Sequence, residues 1–93
     1  MTNRLIEIAR PIVNINGSSA RSLVDQRLAV VRGLEAVLDL MHAAAPHGRD
    51  YQLNPPGDLD RDRDLYLRRL DAIKNLATAY EREAFAINEQ EKK

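Results

Sequence analysis

The chain has 93 residues, enough for one domain, and its 14 basic and 14 acidic residues cancel at neutral pH. That balance argues against a general DNA- or RNA-coating role, because no surplus of cations is available to displace counterions from phosphate. With no cysteine there is no disulfide, thiolate nucleophile or cysteine zinc site, and no stretch approaches the ~18–20 apolar residues of a membrane span.

Residues 1–18 are the least regular part and read as an N-terminal arm. MTNRLIEIAR lacks the long apolar run of a secretory signal, so the expected location is cytoplasmic, without membrane association. Leu5, Ile6 and Ile8 suit a short helix, which Pro11 ends because proline disfavours helix in the residue before it. Ile12-Val13-Asn14-Ile15 is β-branched and partly alternating, hence extended. Asn16-Gly17 signals a turn. Ser18 and Ser19 follow, and either hydroxyl can cap a helix start.

The spacing predicts a first helix over 19–45, a loop over 46–58, a second helix over 59–88 and a frayed tail over 89–93. In the first helix Leu23, Leu28, Val30, Val31, Leu34, Val37, Leu38 and Met41 share one broad stripe. Gly33 is a mild helix defect, costing ~1 kcal/mol against alanine, and it leaves room for another helix to approach. Pro46 and Gly48 stop the helix. In the second, Tyr66, Leu70, Ile73, Ala77, Tyr80, Ala84 and Ile87 alternate in steps of four and three, a coiled-coil-like seam. The fold class is therefore all-α: an antiparallel hairpin of helices ~39 Å and ~45 Å long, forming a single domain. Two helices packed only on each other leave apolar surface wet, and Leu67 and Leu76 lie off the seam's centre line. This predicts a helical-bundle homo-oligomer, most simply an antiparallel four-helix dimer.

Several chemical readings fail on spacing. An EF-hand loop beginning at Asp58 needs glycine at its sixth position and glutamate at its twelfth, where this chain has Arg63 and Arg69. The aspartates of DLDRDRDL instead suit the positive end of a helix dipole. His42 and His47, the only histidines, are too few for a convincing zinc site. No phosphate-binding glycine loop, dinucleotide fingerprint or activated nucleophile is visible, so neither catalysis nor a cofactor or metal is expected.

Two polar segments remain as ligand-binding candidates. Asn16-Gly17-Ser18-Ser19 leads into a helix N-terminus that presents N–H groups and hydroxyls to an anion, with Arg21 adding charge. In the loop, His47, Gly48, Arg49 and Tyr51 combine a guanidinium able to grip phosphate or carboxylate with rings able to stack. Within one chain the segments stand at opposite ends of a ~39 Å helix. A site using both must be shared between chains.

INGSS before a long amphipathic helix, followed by APHGRDY, resembles short phage-encoded proteins with motifs close to NGTS and APNGRDY. The likeness spans roughly residues 12–51. In architecture the chain also resembles the phage helical-hairpin sponges that sequester cyclic oligonucleotide immune signals, of the anti-CBASS and anti-Thoeris type. The resemblance implies a noncatalytic homo-oligomer binding a small anionic ligand, such as a cyclic nucleotide, between subunits. The alternative function is a protein-interaction module that binds a host or phage protein through its helical surfaces.

Overall fold

A computed structural model describes Ile12 and residues 19–91. The expected elements of the N-terminal arm therefore lie outside the described residues, apart from Ile12. Described are two long α-helices, α1 (Ala20–Ala43) and α2 (Asp58–Glu91), and between them one turn of 3-10 helix, Gly48–Tyr51. The helices run antiparallel. The His42 ring and the Tyr66 hydroxyl meet at 3.0 Å near the loop, and Arg27 meets Glu83 further along. The all-helical hairpin expected from the sequence is present.

Local chemistry sets the helix limits. The Ser19 hydroxyl oxygen accepts the Ser22 N–H at 3.0 Å, satisfying a donor that the first turn of α1 leaves unpaired. At the other end the Ala44 N–H reaches the Leu40 and Met41 carbonyls. Pro46 then disfavours a helical Ala45, so α1 stops two residues short of the expected 45. Before α2, Gly57 has φ 96°, a left-handed conformation that costs a side-chain-bearing residue ~1–2 kcal/mol. It turns the chain out of Pro55-Pro56 into a helix whose first turn carries Asp58 and Asp60, favourably placed for the dipole. Asp58 also accepts from Asn54 Nδ2 at 3.1 Å and pairs with Arg61 at 2.8 Å. The helix continues to Glu91, three residues past the expected limit. Glu89 and Gln90 are half-buried and are good helix formers, so the tail expected from 89 is helical to that point.

The core is a zipper between two heptad seams. On α2 every expected seam residue is buried or half-buried, and Leu70, Ala77, Ala84 and Ile87 are buried. On α1 the seam is narrower than the expected stripe. It runs through Ala20, Val24, Arg27, Val31, Leu34, Leu38 and Met41, again in steps of four and three and again without an exposed member. Leu28, Val30 and Val37 lie on its flanks, exposed. The difference has a simple cause: α2 is one helix wide and covers only the residues facing it, whatever the polarity of their neighbours.

A charge therefore occupies the zipper. Arg27 Nε stands 3.5 Å from Glu83 Oε1, with the two side chains only 15% and 8% exposed. Neither atom completes a hydrogen bond. Arg27 Nη1 donates instead to the Leu23 carbonyl and to Gln26.

Candidate functional site

The contact between His42 and Tyr66 places the start of α2 beyond the end of α1. The loop folds over those first turns. A Cβ added to Gly48 would stand 3.8 Å from the Leu59 side chain, an ordinary packing distance that leaves room for alanine. The Tyr51 hydroxyl donates to Asp62 Oδ2 at 2.7 Å, and the Asp50 N–H donates to the His47 carbonyl. The loop is thus anchored on α2 rather than hanging free.

This anchoring sorts the loop candidates. His47 and Arg49 are exposed, and Arg49 forms no ion pair among the described residues. Gly48 and Tyr51 are half-buried and hold the turn against α2. The local field is acidic. Donation to the Asp62 carboxylate raises the Tyr51 pKa above its ordinary value, and burial and the charges of Asp62, Asp50 and Asp58 add in the same direction.

A pH prediction follows from the raised Tyr51 pKa. Its contribution is complete below the unfolded value of ~10 and is lost as pH rises through the higher folded value. Alkaline titration is expected to loosen the loop in one step that Tyr51→Phe abolishes. Protection of the Gly48–Asn54 amides reports it, and identical profiles in both proteins would contradict it.

At the opposite end, Ser19 caps α1, and Arg21 pairs with Asp25 at 3.5 Å, both well exposed. Asn16, Gly17 and Ser18 lie outside the described residues. Ser19 and Arg21 are two positions apart, about 200° around the axis, so they point to different sides. Arg21 borders an open groove of about 790 Å³ between the helices, lined also by Leu28, Glu81, Phe85 and Asn88. Phe85 is 67% exposed there. Phe85 lies outside the α2 seam, and no local pattern in the sequence assigns it a groove, since Leu28 and Phe85 are brought together only by helix pairing. Ser19 and the Gly48–Tyr51 turn stand beyond opposite ends of α1, whose 24 residues span ~36 Å.

The described residues form an antiparallel helical hairpin with the Ser19 cap at one end and the polar Gly48–Tyr51 turn at the other. Comparisons with protein-family models, curated proteins and solved structures gave no match to the chain. No helix among the described residues is long and apolar enough to cross a membrane, and none of their His, Asp or Glu side chains form a group of three or more suited to a metal ion.

Proposed function

We propose that the protein is a noncatalytic homo-oligomer of phage or prophage origin that binds and sequesters a small anionic ligand, a cyclic nucleotide signal being the leading class, at sites shared between subunits. The observation that carries this reading is Arg49: an exposed guanidinium without an ion-pair partner among the described residues, on a turn that Tyr51 and Gly48 hold in place. A fixed turn lowers the ordering cost of binding. Arginine can meet a phosphate through two parallel hydrogen bonds. His47 supplies a ring beside it. Sharing follows from length, because one small ligand cannot span the ~36 Å to Ser19 of the same chain.

Equilibrium dialysis against cyclic di- and trinucleotides, linear nucleotides and inorganic phosphate tests the assignment. The reading expects one cyclic nucleotide to be retained selectively by the native chain and lost by Arg49→Ala, with the size of the assembly unchanged. Equal retention by the variant contradicts the role of Arg49.

The groove of Leu28 and Phe85 favours a second reading, a protein-interaction module, because an exposed aromatic over an apolar floor suits a partner's side chain. Retention of none of these ligands, together with an assembly that leaves Phe85 exposed, would support it.

A further inference from the structure

The ionisable side chains of α1 are confined to part of its circumference. At 100° per residue, Arg21, Asp25, Arg27, Arg32, Glu35, Asp39 and His42 all fall within about 160°. The remaining ~200° carries none. One edge of that arc adjoins α2, its flank carries Val30 and Val37 beside the seam, and the rest faces away from α2. Val30 and Val37 there are 37% and 39% exposed, and Leu40 is 70% exposed. Together with Leu23, Gln26 and Gly33 they form a second series in steps of three and four. A long helix with a second apolar seam is suited to a second helix.

Gly33 indicates how close that helix comes. Glycine weakens a helix interior, and nothing in the chain requires it here. Its φ is not positive, and a Cβ added to it meets no atom within 4 Å. A reason for glycine is close approach by something outside the chain. Gly33 also stands at the middle of the seam. Val30 and Val37 flank it, Gln26 and Leu40 lie one heptad to either side, and Leu23 is beyond.

A pattern centred on one residue is what a two-fold axis requires, since residues near the axis face their own copies. A charge there would face its like, and this arc has none. We infer that α1 pairs antiparallel with α1 of a second copy of this chain, with the two-fold axis at Gly33. The groove places Leu28 and Phe85 on one side of the hairpin, so by helical geometry and the register set by His42–Tyr66 and Arg27–Glu83 Leu76 of α2 adjoins the Val30–Val37 strip on the other. Two helices, each ~36 Å by ~10 Å, present on the order of 700 Å², close to the ~800 Å² per partner of a standard stable interface.

This inference rests on the proposed shared-site function and deepens it. Antiparallel pairing about Gly33 brings the Ser19 end of one copy towards the Arg49 turn of the other, twice per dimer. No single chain achieves that juxtaposition.

The absence of native cysteine makes cross-linking specific. Gly33→Cys is expected to form a disulfide-linked dimer under mild oxidation, because a bond needs Cα atoms within ~7 Å. Glu35→Cys, on the charged arc, is the control and is expected to remain single. Gly33→Leu is expected to keep its helix content while weakening dimerisation by about tenfold or more, read by light scattering across a dilution series. An assembly that survives Gly33→Leu unchanged, with no cross-link at 33, would overturn this interface and leave a shared site elsewhere standing. A native chain that is a single copy at every concentration would overturn both.

Discussion

Ile87→Ala is expected to lower stability by about 3 kcal/mol, through lost transfer energy and the cavity left in the zipper. For a domain of this size that is a fall in Tm on the order of 12–24 °C, measured at one protein concentration because association shifts Tm. Ile87 is the one large side chain in the described core with no exposed surface. Phe85, two residues away and 67% exposed, is the comparison: Phe85→Ala should change stability by no more than ~0.5 kcal/mol. Equal losses in both variants would mean that the seam facing α1 is not where α2 derives its stability.

Glu83→Ala is the second large effect. It leaves the Arg27 guanidinium between the helices without its partner, and breaking a buried pair costs about 3 kcal/mol. The long arginine stem moderates this, since it lets the charged head reach partly to water. Replacing both residues, Arg27→Met with Glu83→Leu, should restore native stability or exceed it, because an apolar pair carries no desolvation penalty. A double variant as unstable as the single one would show that the pair stabilises the hairpin in its own right. Chemical denaturation of the three proteins decides between these outcomes.

The two seams show what a single sequence can reveal. The α2 seam was legible because it is a strict heptad of apolar residues, and a heptad has one centre line. In α1 the apolar residues cover two faces, and Arg27 occupies a seam position. Counting hydrophobic side chains therefore merged the face that meets α2 with the face that does not. Helical periodicity gives the direction of each side chain but not which direction a neighbour takes. The Arg27–Glu83 contact was invisible for the same reason.

The candidate site was legible in part. Ser19 caps α1 as its residue type implied, and the polar loop lies where Pro46 and Gly48 placed it. The bond from Tyr51 to Asp62 depends on the loop folding back over α2, and the turn of 3-10 helix accompanies that fold. No local pattern encodes it. The chemistry of Arg49 makes it a candidate in the sequence, and its exposure on an anchored turn depends on the tertiary fold. The acidic surroundings of Tyr51 disfavour an anion at the phenol itself.

The proposed function requires the folded protein to bind a small anionic signal. The most direct test is thermal melting of the native chain with cyclic di- and trinucleotides, cyclic ADP-ribose isomers, linear nucleotides and phosphate. A ligand present at one hundred times its Kd adds about 2.7 kcal/mol to the folded state. Such a shift is expected with one cyclic nucleotide and none with phosphate. A flat panel from a cooperatively melting protein would contradict the proposed function and direct attention to a protein partner at the groove of Leu28 and Phe85.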